Sequence, residues 1–144
     1  MSTVDLVITK TFDASPERVF NAWTNAKDIA TWYGPEGFTN EVDAFDAKVG
    51  GAYRVAMHAP DGAVHTVVGT FKTIEPHTKL VLTWQWEGAP GAMGAETLVT
   101  VEFKDVGGKT EMTMTHSGFP DDETKQSHNM GWSSSFNKLE RVFT

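Results

Sequence analysis

Five histidines are the side chains of this chain best suited to move a proton near neutral pH. His116 stands out among them. It follows Met112 and Met114 at alternate positions, so a strand through 109–116 turns it to the same face as two methionines. An imidazole buried there needs a hydrogen-bonding partner. A backbone carbonyl or Tyr53 would satisfy it structurally, a ligand head group would give it an orienting role, and a reacting molecule would make it a general base. No second convergent acid supports the last option. The remaining chemistry is sparse. There is no cysteine, hence no thiol nucleophile and no thiolate metal site, and no G-x-S-x-G elbow. The histidines lack a paired ligand spacing, although His116 and His128 could meet between sheet and helix near Asp121 or Asp122. Residues 106–110, VGGKT, contain the end of a phosphate-binding loop, but the first glycine of that motif is missing and a strand follows instead of a helix. No catalytic residue is assigned, no metal or cofactor is expected, and binding is favoured over catalysis.

The apolar inventory says more. Five tryptophans, nine phenylalanines and six methionines are more bulky, adaptable surface than the plain core of a 144-residue domain requires. Placed by strand alternation and helical spacing, Trp32, Tyr53, Val55, Met57, Val67, Trp84, Met112, Met114, His116, Trp132 and Phe136 are expected to line a pocket, with Tyr53 and His116 as its polar groups. Ordinary packing of sheet against helix is the competing reading for each of them.

The elements that must position these residues are legible. Residues 4–12 are β-branched and alternating, a first strand. Ser15 and Pro16 open a short helix with Val19, Phe20 and Trp23 on its apolar face; Asn25 opens a second, carrying Ile29, Trp32 and Tyr33 and stopped by Gly34-Pro35. Alternating runs at 39–47, 52–58, 64–74, 79–87, 96–105 and 109–116 read as hairpin-linked strands, with an irregularity near Phe45. The apolar, glycine-rich loop 88–94 is expected to be mobile. From 120 to 144 one long helix is predicted: Pro120 precedes Asp121, Asp122 and Glu123, and Trp132, Phe136, Leu139 and Phe143 form one stripe. Gly131 interrupts it, either for a close contact with the sheet or as a hinge beside a ligand. The order gives an α+β fold, an antiparallel meander covered by the terminal helix, as a single domain over 1–144.

Bulk properties narrow the partners. A net charge of −7 with twelve scattered basic residues argues against nucleic acid. The first ten residues do not read as a secretory signal and no apolar run approaches a membrane span, so a cytoplasmic protein without membrane insertion is expected.

Residues 32–38 (WYGPEGF), 49–54 (VGGAYR), 60–62 (PDG), 69–71 (GTF), 115–118 (THSG) and Gly131-Trp132 occur in an order that resembles the Hsp90-ATPase-activator-homologue (AHSA1-like) family of the START-like, Bet v 1-like (SRPBCC) superfamily. The resemblance covers nearly the whole chain. It implies a helix-grip fold, in which a bent antiparallel sheet of six to seven strands wraps a long C-terminal helix, with two short helices after the first strand and a cavity open to apolar ligands. Three functions follow as expectations. A carrier or sensor of apolar or aromatic small molecules comes first; a module acting on a Hsp90-type chaperone is the second; a cyclase- or aromatase-like enzyme using His116 is the third.

Overall fold

Side-chain caps start all three helices. Ser15 accepts the Arg18 N–H at 3.2 Å and Pro16 occupies the first turn of α1 (Pro16–Thr24), while Asn25 accepts the Lys27 N–H at 2.9 Å to open α2 (Ala26–Trp32). Asp121 does the same for α3 (Asp122–Val142), accepting the Thr124 N–H at 2.8 Å. The strands are β1 (Val4–Phe12), β2 (Thr39–Phe45), β3 (Ala52–His58), β4 (Val64–Glu75), β5 (Lys79–Trp86), β6 (Thr97–Val106) and β7 (Lys109–Phe119). The computed structural model describes residues 3–88 and 94–143; most of the loop expected to be mobile therefore lies outside the described residues.

One seven-stranded antiparallel sheet results, in the order β1-β7-β6-β5-β4-β3-β2. The strands β1 and β2 are its two edges, so α1 and α2 carry the chain from one edge to the other. Register shifts sharpen its curvature. One falls in β2 between Val42 and Ala44, just before the expected irregularity at Phe45, and another in β4 between Phe71 and Thr73. Between β3 and β5 the backbone of Gly69 comes so close to its neighbours that a Cβ there would lie 2.2 Å from the Thr83 carbonyl oxygen and 2.7 Å from the Tyr53 ring. Tyr53 lies across this glycine and donates its hydroxyl to the Thr83 carbonyl.

The helix α3 is continuous through Gly131, and only its C-terminal half is seated in the core, where Trp132, Ser135, Phe136 and Leu139 are buried. Phe143, just past its end, meets Phe12 edge-on at 5.5 Å. Here the concave side is solid. Trp23 stacks on Trp132 at 5.8 Å and donates its indole N–H to Met112 Sδ at 3.3 Å; Trp32 packs edge-on against Trp23 at 4.8 Å and donates to the Ala22 carbonyl at 2.9 Å.

Candidate functional site

The N-terminal half of α3 buries no residue, and beneath it the concave side is hollow. A cavity of about 510 Å³ lies between this half of the helix, β3, β4, β5 and the 33–38 connection. That volume suits a small organic ligand. Its aromatic wall comes from Tyr33, Phe38, Trp84, Trp86 and Trp132, with Met57 and Val64 beside them. The alternation of β5 puts Trp84 and Trp86 on one face, and they meet edge-on at 5.6 Å. Beside His128 and Trp132, α3 turns a stripe of small residues to the cavity: Ser127, Gly131 and Ser135, four apart. Gly131 is therefore neither a hinge nor a contact point. A Cβ added there would meet nothing nearer than Pro35 Cγ at 4.0 Å, so glycine at this position keeps volume open.

The two inner histidines are fully engaged. Trp132 Nε1–H, a donor only, points at His116 Nδ1 at 3.0 Å, which makes that nitrogen the acceptor. His116 Nε2 must then carry the proton and donate to Thr97 Oγ1 at 2.7 Å, and Thr97 passes its own proton to the Trp84 carbonyl at 2.8 Å. Burial and the neighbouring His128 push His116 down to about 3, so it is neutral at pH 7. His128 is arranged the other way round. Its Nδ1–H donates to the Thr124 carbonyl at 3.0 Å and its Nε2 accepts from Trp86 Nε1 at 3.1 Å, while burial lowers its pKa against the opposing pull of the Thr124 bond.

The 33–38 rim is strapped to α3. The Lys138 ammonium sits among the carbonyl oxygens of Tyr33, Gly34, Pro35 and Phe38 at 3.1 to 3.4 Å, Ser134 Oγ accepts the Glu36 N–H at 2.7 Å, and Arg141 pairs with Glu36. Desolvation lowers the Lys138 pKa. At the mouth, Glu87 is held by Arg54 through two bonds of 2.9 and 2.7 Å, and its pKa falls accordingly.

Of the residues expected to line the pocket, Met57, Trp84 and Trp132 are on its wall. His116 stands behind Trp132, positioning its ring. Trp32, Tyr53, Val55, Val67, Met112, Met114 and Phe136 are instead packed into the solid core, each at most 2% exposed. Strand alternation and helical spacing turned them inward but do not distinguish a filled part of the concave face from a hollow one. Tyr53 bonds to Thr83 and so cannot orient a ligand; Met112 already accepts from Trp23. Residues missed as wall components are Tyr33, Phe38, Val64, Trp86, His128, Gly131 and Ser135. The small residues at every fourth position of α3 were the available signal. Among the described residues no group of three or more histidines, cysteines or carboxylates could hold a metal ion, and no helix is long and apolar enough to cross a membrane.

Residues 13–144 match the profile of a family described as activator of Hsp90 ATPase homolog 1-like protein. Two curated proteins called activator of 90 kDa heat shock protein ATPase homolog 1, from Mus musculus and Homo sapiens, are each 27% identical over 130 residues, 90% of this chain. This chain spans about a third of their length, 34%. Among solved structures, a protein from Chromobacterium violaceum superposes with a TM-score of 0.88 at 26% identity over 96% of both chains. The AHSA1 protein of Silicibacter pomeroyi superposes with a TM-score of 0.84 at 27% identity, again over 96% of both.

Proposed function

The chain belongs to the activator of Hsp90 ATPase homolog 1-like family, and from that premise we propose that it is a cytoplasmic carrier or sensor of small apolar ligands. The observation that carries this reading is the cavity of about 510 Å³ left open between sheet and helix and walled by aromatic rings. A protein interior normally closes such a space, because an unfilled void forfeits dispersion contacts along its whole lining. Here the closing residue is withheld at Gly131, and the rim is pinned by Lys138 instead of collapsing inward. Trp84, Trp86, Trp132, Met57 and Tyr33 are the proposed contact residues, with His116 acting only through Trp132. The test is a fluorescence screen of apolar and aromatic compounds: a saturable change in tryptophan emission that Gly131→Leu abolishes supports the reading, and no saturable change with any compound overturns it.

A second reading, a module acting on a Hsp90-type chaperone, draws support from the names of the curated relatives. Stimulation of the host Hsp90 ATPase by the purified chain would favour it, and its absence together with ligand binding would favour the first. An enzyme using His116 as base is disfavoured by geometry, since both ring nitrogens are engaged and the ring gains a proton only near pH 3.

A further inference from the structure

The cavity wall holds polar atoms that the fold itself does not use. Tyr33 is 2% exposed and Ser135 3% exposed, so both are almost wholly enclosed, yet neither side chain makes a hydrogen bond among the described residues. Neither hydroxyl is among the buried atoms sealed off without a partner, which are Asn40 Oδ1 and Trp84 Nε1. Both residues line the cavity. They come from different elements, the C-terminal cap of α2 and the buried half of α3. On the same wall the Trp84 indole N–H is buried with no acceptor. Enclosed polar groups are nearly always paired in native proteins, so the two hydroxyls call for a partner that the described residues do not supply.

The partner's charge follows from the ionic groups nearby. The Lys138 ammonium is engaged by four backbone carbonyls, and Glu87 is paired with Arg54 at the mouth. His128 has both nitrogens bonded, and His65 lies on the exposed rim. Among the described residues no cation is left to receive an anionic head inside, where losing its hydration would be costly. Deepening the carrier reading, on which it rests, we propose that the cavity takes uncharged aromatic molecules bearing one hydroxyl or carbonyl oxygen, such as phenols and aryl ketones. The ring lies among Trp84, Trp86 and Trp132, and the oxygen is bonded by the hydroxyls of Tyr33 and Ser135.

Three probes share one ring system and differ only in the head: naphthalene, 2-naphthol and 2-naphthoate, titrated at pH 7 and followed by amide and indole NMR shifts. The expected order is 2-naphthol tightest by about five- to tenfold over naphthalene, the worth of one net hydrogen bond, with 2-naphthoate weakest. Tyr33→Phe and Ser135→Ala, each removing one oxygen, should bring the naphthol-to-naphthalene ratio toward one while naphthalene affinity stays within about twofold. Equal binding of naphthalene and 2-naphthol, tightest binding of the naphthoate, or a ratio that survives both substitutions overturns this inference and leaves the cavity reading standing. Failure of all three probes to bind overturns both.

Discussion

The two ends of the concave face are built from the same residue types and finish differently. At the solid end Trp23, Trp32 and Tyr53 each have their polar atom bonded, to Met112, Ala22 and Thr83. At the hollow end Trp86 and Trp132 are bonded to His128 and His116, but the Tyr33 hydroxyl, Ser135 Oγ and Trp84 N–H have no partner among the described residues. The helix crossing both ends explains the division. Its Phe136 and Leu139 fill one end, while Ser127, Gly131 and Ser135, rotated toward the other, leave space beside Trp132. Aromatic abundance therefore does not mark a binding site. Small residues facing the aromatic wall, together with unpartnered hydroxyls on residues that line the space, do.

The contrast can be broken most forcefully by deleting a ring at each end. Trp23→Ala should destabilise the protein by about 3–5 kcal/mol, since it leaves a void inside close-packed surroundings. Trp86→Ala, at a half-buried ring already facing empty space, should cost less than about half of that, both read from urea unfolding at matched slopes. Equal costs would mean that the two ends are packed alike.

An intermediate effect comes from pH. His116 and His128 titrate lower in the folded state than unfolded, so the unfolded chain binds more protons between their ordinary value near 6.5 and the folded values. The His116 contribution is complete above about pH 6.5 and is lost as pH falls toward about 3, at about 1.4 kcal/mol per pH unit, and His128 acts in the same direction. His116→Gln should flatten that slope in denaturation midpoints measured from pH 7 to 5. An unchanged slope would show that His116 is not the buried neutral ring bonded to Trp132 and Thr97.

The smallest effect sharpens the comparison. Gly131→Leu adds a good helix former where the cavity leaves room, so thermal or urea unfolding should show a gain of about 1 kcal/mol, with loss of ligand binding. A loss of stability would mean that glycine is needed for close packing after all.

Much of the fold was legible because its signals are local. Ser15-Pro16, Asn25 and Asp121 are caps whose chemistry acts within one turn, and the hairpin strands announce themselves by alternation. The site was only partly legible. Alternation turns Met57 and Trp84 inward together with Val55, Val67, Met112 and Met114, helical spacing does the same for Trp132, and whether an inward residue meets a ring or a void depends on what lies across from it. By spacing Tyr33 is the last residue of an apolar helix face; its place on the cavity wall follows only from the strap by which Lys138 holds the 33–38 connection over the hollow. Gly131 was noticed, but its purpose could not be told without Pro35 opposite.

The five tryptophans provide the most direct test, because they are divided between the two ends. Their indole N–H signals, assigned by single Trp→Phe variants, can be followed in a nitrogen–proton correlation spectrum during titration with 2-naphthol. Saturable shifts at Trp84, Trp86 and Trp132, with Trp23 and Trp32 holding their positions, are the predicted result. Shifts led by Trp23 and Trp32, or no shift at any of the five, would contradict the account.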